Sequence, residues 1–396
     1  MNTSELLFFL LRHEVCGIPP SAEESALHEL RASLTAEKTD ALYTLAKKHD
    51  LLHLVADALT KLGLADKAAP ERREKIAQAP LLALYRYERM RYAYEKSCEA
   101  LEQANIPFLP LKGAVLRDYY PEPWMRNSCD IDILVHENDL ETAADALCAH
   151  ASLTRKAEKG AHDLSLYSAE GVHVELHFKA AEENTDAATN AVLSRLWEYC
   201  TPQNGSYRYV MTGEMFYFYH IAHMAKHLRH GGCGIRPFLD LWILEHRAPE
   251  PIDRTALSEL LRAGALERFA AAAKTLSEIW FSDAAHSENL QLFERFILTG
   301  GVYGSVGNQV AVGQSKQGGK AGYTRSKILP PPNYMRLYYP ILQRHGWALP
   351  FCHLHRWLRL LFTGDAGRAM GRLRVNRNIS DEGRNAVSEM LKQIGL

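Results

Sequence analysis

The six residues Asp130-Ile-Asp-Ile-Leu-Val135 restrict the fold of this chain more than any other stretch. Their alternation predicts a β-strand with Ile131, Ile133 and Val135 on one side and Asp130 and Asp132 on the other. Two carboxylates about two strand rises apart repel and raise each other's pKa unless a cation lies between them. Such a strand needs an apolar layer under one face and positive charge over the other. A second stretch, Val172 to Phe178, has the same grammar: Val172, Val174, Leu176 and Phe178 share one face, and His173, Glu175 and His177 the other. Glu175 is thus a third carboxylate on a strand with a core-facing side. Hard oxygen ligands on rigid strands suit Mg²⁺, with Mn²⁺ as the alternative ion. Three carboxylates on neighbouring strands are what a two-metal phosphoryl-transfer site requires.

The surroundings predict an α+β protein: a small mixed-sheet core flanked by N-terminal and C-terminal helical regions. Residues 1–105 carry helical periodicity throughout, ending in a long helix expected from about Pro80 to Asn105. Residues 106–186 hold the short apolar run before Lys112-Gly113, a helix stopped by Pro121, the Asp130 strand, a second helix and two strands joined at Glu170-Gly171. Residues 187–300 return to helical patterning, clearest in the segment from Gly213 to His230. Residues 301–396 begin in a Gly-, Ser- and Gln-rich stretch, Gly300 to Gly322, read as a loop, and end in a basic, aromatic helical tail.

A net charge of −1 means that no global field draws the chain to nucleic acid or membrane, so any such attraction is local. The apolar run Leu6 to Leu11 is too short to span a bilayer and reads as the buried side of a first helix. Seven scattered cysteines, none in a Cys-x-x-Cys pair, argue against a thiolate zinc site and for a reducing, cytoplasmic setting.

Lys112-Gly113, Arg126-Asn-Ser-Cys-Asp-Ile-Asp-Ile-Leu-Val135 and His173-Val-Glu-Leu-His177, taken together, resemble the uncharacterised nucleotidyltransferase family of the DNA polymerase β superfamily. The likeness extends to a His-x-x-Lys-His helix, Phe238-Leu-Asp-Leu241 and the tail. It implies a polymerase β-like catalytic core in which Asp130 and Asp132 bind two Mg²⁺ ions and Glu175 binds the catalytic one and deprotonates the acceptor. Lys112 and Gly113 would form the turn approaching the triphosphate, where the wider superfamily has Gly-Gly or Gly-Ser. Arg126 would contact phosphate or acceptor, or else simply pair with a surface acid. The helical domain would cover the nucleotide, with Lys226 and either His223 or His227 on its phosphates and Asp240 orienting an imidazole. His177 would support the ligating side chains.

His220, His223, His227 and His230 share one helical face, so a zinc site and a plain half-buried face remain open beside the phosphate reading. The basic, tryptophan-bearing tail helix can lie on an anionic surface, or dock its apolar stripe and leave arginine in water. The expected activity is transfer of a nucleoside monophosphate from an NTP, ATP by default, to an acceptor among small molecules, envelope precursors, proteins and RNA. The competing readings are a non-catalytic nucleotide- or partner-binding descendant and a histidine-metal hydrolase.

Overall fold

Strand-forming residues concentrate between Phe108 and His177, where they make one five-stranded sheet in the computed structural model. The structure describes residues 1–18, 24–160, 162–181, 185–282, 284–285, 287–362 and 365–396. The strands are β1 (Phe108–Pro110), β2 (Asp130–Val135), β3 (Thr154–Lys159), β4 (Asp163–Tyr167) and β5 (His173–His177), in the order β1-β2-β5-β4-β3. β2 runs parallel to β5, and the other pairs are antiparallel. The class is therefore α+β with a mixed sheet. Gly171, at φ 80°, turns β4 into β5 in a conformation that favours glycine.

β3 escaped the sequence pattern because Thr-Arg-Lys-Ala-Glu-Lys has no apolar alternation. It pairs only with β4, and charge on an outer strand discourages further pairing. A separate two-stranded pair, β6 (Cys200–Pro202) with β7 (Tyr209–Met211), was likewise unforeseen.

One face of the large sheet is sealed. Ile131, Ile133, Val174 and Leu176 pack with Met90 and Leu101 of the Pro70–Gln103 helix and with Leu140 and Leu147 of the Leu140–His150 helix. Each such side chain contributes about 1.5–3 kcal/mol when fully buried. The long helix begins ten residues before the expected Pro80, because Pro70 occupies its first turn, where a missing N–H costs nothing.

Two compact units make up the chain. The first contains Met1–Lys226 and Ile235–Glu288, and the second His227–Gly234 and Asn289–Leu396. In the first, Leu6 to Leu11 are all buried on the Thr3–Leu11 helix. In the second, the Gly300 to Gly322 stretch departs from the loop expected of it: Val306–Lys316 and the start of Lys320–Ile328 are helical. Ser305 caps the first helix by accepting from the Asn308 N–H at 3.0 Å, and Val310, Ala311 and Val312 are buried. One of its glycines serves packing. A Cβ on Gly313 would lie 2.5 Å from the Tyr323 ring.

A buried ion pair braces the sheet-proximal loops of the first unit. Asp240, on the Arg236–Arg247 helix, accepts from Arg126 Nε at 2.8 Å, from a second Arg126 nitrogen at 2.9 Å, and from the Tyr120 hydroxyl at 2.8 Å. All three side chains are buried. Removing one partner of such a pair strands a buried charge. Asp240→Ala is expected to destabilise the first unit by about 3–5 kcal/mol, measured by urea unfolding, with Asp240→Asn intermediate. A loss under about 1 kcal/mol would contradict this account of the pair.

Candidate active site

The register of β2 on β5 builds the site. It sets Asp130 opposite His173, Asp132 opposite Glu175 and Leu134 opposite His177. Because neighbouring residues in a parallel pair point to the same side, Asp132 and Glu175 meet on the face turned away from the core. β4 adds Tyr167, Ser165 and Asp163 opposite His173, Glu175 and His177. The polar face is thus a small grid, read across three strands.

Within it, one oxygen each from Asp132 and Glu175 and one nitrogen of His177 lie within 4.8 Å of one another. His177 Nε2 is 3.0 Å from Asp132 Oδ1 and 3.4 Å from Glu175 Oε2, so its N–H is shared between two carboxylates. His173 Nδ1 stands 3.6 Å from the other Glu175 oxygen, and its Nε2 is 3.0 Å from Ser165 Oγ. The Tyr167 ring stacks on His173 at 4.7 Å.

Charge is distributed unevenly here. Burial alone would raise the Asp132 carboxyl, but Lys112 and the hydrogen bond from His177 hold it well below the usual carboxylate range. The hydrogen bond from His177 likewise keeps Glu175 low against the cost of burial. Burial opposes an imidazolium at His177, yet its bonds to Asp132 and Glu175 raise it to about 9. Burial pushes Asp130 up, and the charges of Asp132 and Glu175 push the same way. The imidazolium and Lys112 therefore supply positive charge that the carboxylates require.

Lys112 reaches this field through the backbone. Beyond β1, the Leu111 N–H donates to the Asp132 carbonyl at 3.0 Å, bringing the Lys112-Gly113 turn alongside β2. Lys112 has φ 27° and ψ −94°, in the region that L side chains rarely adopt. Its ammonium lies 5.7 Å from the Tyr219 ring centroid. Gly113 follows because a Cβ there would sit 2.8 Å from Arg126 Nη1, a guanidinium already fixed by Asp240. Arg117 underpins the same turn, donating to the Gly113 carbonyl at 2.8 Å and to Ser128 Oγ at 3.2 Å.

The structure thus gathers Asp132, Glu175 and His177 into one cluster, with Asp130 one alternate position away on the same strand face. His177, expected behind the ligands, stands in the cluster itself, with its Nε2 between the two carboxylates. Its signal was the alternate spacing His173, Glu175, His177; the contribution of Ser165 depended on a hairpin register that spacing does not reveal. Arg126 pairs with an acid, but with the buried Asp240 and not with the surface acid expected, because the Arg236–Arg247 helix brings that carboxylate inside the unit. Asp240 was expected to orient an imidazole; its hydrogen bonds go instead to Arg126 and Tyr120, which the Arg236–Arg247 helix approaches directly. His223, Lys226 and His227 are half-buried on the Gly213–Arg229 helix. His220, on the same helix, is buried against the Pro237 carbonyl at 2.8 Å. Among the described residues, Asp132, Glu175 and His177 lie close enough together to hold an ion, and no three residues of the histidine helix do.

The donor chemistry fits a hard divalent cation: two carboxylates from adjacent strands, with a third beside them, suit Mg²⁺ or Mn²⁺. No helix among the described residues is long and apolar enough to cross a membrane. No curated protein matches the sequence. Residues 35–282, more than half of the chain, match a family described as uncharacterised nucleotidyltransferase. The chain belongs to that family.

Proposed function

We propose that the protein is a metal-dependent nucleotidyltransferase that moves a nucleoside monophosphate from an NTP to a hydroxyl-bearing acceptor. The observation that carries this reading is the pairing of Asp132 with Glu175 in register on β2 and β5, with His177 between them. A polymerase β-like catalytic core is the fold reading that accompanies it, supported by acids on two parallel neighbours of a mixed sheet.

Asp130, Asp132 and Glu175 would hold the divalent ions, Mg²⁺ or Mn²⁺. When bound, such ions neutralise charge that develops on the phosphates. Glu175 accepts the proton of the acceptor hydroxyl. The acceptor oxygen then forms a bond to the α-phosphorus, the α–β phosphoanhydride bond breaks, and pyrophosphate carries away that electron pair. Lys112, on its strained turn, offers a point charge to phosphate, while Gly113 leaves the backbone open for close approach. His223 and Lys226, in the same unit as the acids, are the further candidates for nucleotide contact. Arg126 acts indirectly, since its Nε and one terminal nitrogen are held by Asp240 and its remaining nitrogen faces Gly113.

Incubation with NTPs labelled on the α-phosphate, Mg²⁺ and a cell extract should label an acceptor and release pyrophosphate. Asp132→Ala is expected to reduce that transfer by at least about 10²-fold while leaving the circular dichroism spectrum unchanged. Activity within a few-fold of the unmodified protein would sink the assignment. NTP binding that is indifferent to Mg²⁺ and releases no pyrophosphate would point to a non-catalytic descendant.

Metal binding has its own readout. A saturating concentration of Mn²⁺, about a hundred times its Kd, should stabilise the folded protein by about 2.7 kcal/mol, seen as a rise in Tm. Chelation should reverse the rise, and Glu175→Gln should abolish it. A shift that survives in Glu175→Gln would place the ion elsewhere.

A further inference from the structure

The helix Leu349–Phe362, followed by two more before the chain ends, turns its apolar side outward. Phe351, Leu354, Leu358 and Phe362 recur at steps of three and four, so they share one helical face. With Trp347 in the turn before them, these residues are 46% to 86% exposed. The opposite side faces the protein: Cys352 packs with Met335, Leu342 and Ala348. Arg356 donates to the Lys327 carbonyl at 3.1 Å, and Trp357 Nε1 to the Ile328 carbonyl at 2.9 Å. The helix is therefore anchored through a thin core and polar bonds, while its largest apolar side chains meet solvent. Ordinarily the apolar stripe of such a helix is the side that docks; here the Phe and Leu stripe is the side left in water.

Charge surrounds that stripe. Residues 327–378 hold nine Lys and Arg against the single acid Asp365, an excess of eight in a chain whose net charge is −1. Arg344, Arg359, Arg368, Arg372 and Arg374 are all exposed.

We propose that this face is a docking surface for an anionic lipid bilayer, on which the helix lies in the interfacial plane. Exposed Trp, Phe and Leu on one side, rimmed by arginine, are what interfacial helices use: the apolar face enters the boundary of the acyl chains and the cations meet headgroup phosphates. A second copy of the chain is disfavoured as the occupant, because a symmetric contact would press two strongly basic faces together. Nucleic acid would answer the charge, but Leu354 and Leu358 in the middle of the stripe cannot stack on bases as an aromatic platform does. The surface is independent of the transfer chemistry and stands whether or not that assignment holds.

The test is co-sedimentation with vesicles of phosphatidylcholine alone or with about 30% phosphatidylglycerol, at low and high salt. Binding to the anionic vesicles is expected to be at least about tenfold tighter and to weaken as salt rises. Leu354→Asp combined with Phe362→Asp should weaken it by at least about tenfold, and these exposed positions leave the fold intact by circular dichroism. Arg372→Glu with Arg374→Glu should also weaken it, by about fivefold or more for each arginine. Equal binding to both vesicle types, or binding unchanged in Leu354→Asp with Phe362→Asp, overturns the proposal. So does absence of vesicle binding, whether accompanied by capture of a single-stranded oligonucleotide or by concentration-dependent dimerisation lost in the same variant.

Discussion

The parallel pairing of β2 with β5 is the constraint from which the rest of the site follows. Side chains in a strand have a period of two, so a slip of one residue would turn Glu175 toward the core and Val174 toward solvent. The burial of Ile131, Ile133, Val174 and Leu176 forbids that slip. Stability and site geometry therefore share one determinant: the apolar residues that hold the sheet to its two helices also fix the distance between the carboxylates.

Around that pairing, charge is handled in two distinct ways. The cluster of Asp132, Glu175 and His177 is largely withdrawn from water yet only partly compensated from within, which suits a place that receives a cation. Arg126 and Asp240 are the opposite case, buried and bidentate, with Tyr120 occupying a further lone pair. They lie on separate segments of the chain and hold the Gly113 turn in place from behind. One arrangement leaves charge to be answered from outside and the other answers it within, although carboxylates and cationic side chains build both.

Much of this was legible in the sequence, and the reasons differ from place to place. The two acidic strands could be read because each alternates against a buried apolar face. The fate of Arg126 could be framed as a choice but not decided, since its partner Asp240 is more than a hundred residues away and no local pattern links them. β3 was hidden by its own polarity. The glycines between Gly300 and Gly322 misled for a physical reason: glycine serves loops through its backbone freedom, and equally serves helices where another side chain needs the room. Gly313 is of the second sort, with Tyr323 occupying the space that a methyl group would fill.

The segment from His227 to Gly234 carries a consequence for how the chain is made. It precedes the last stretch of the first unit in sequence, yet belongs to the second. A Cβ on Gly304 would fall 1.9 Å from the Gly231 carbonyl oxygen, so two glycines distant in the chain lie backbone to backbone. Emerging from the ribosome, the earlier glycine waits for about seventy residues before its partner exists, a loop whose closure entropy grows only slowly with length. A polypeptide ended at Glu288 would contain the whole stretch that matches the family and still leave this turn with nothing to close against. The two units are interleaved in synthesis, and no single cut of the chain separates them.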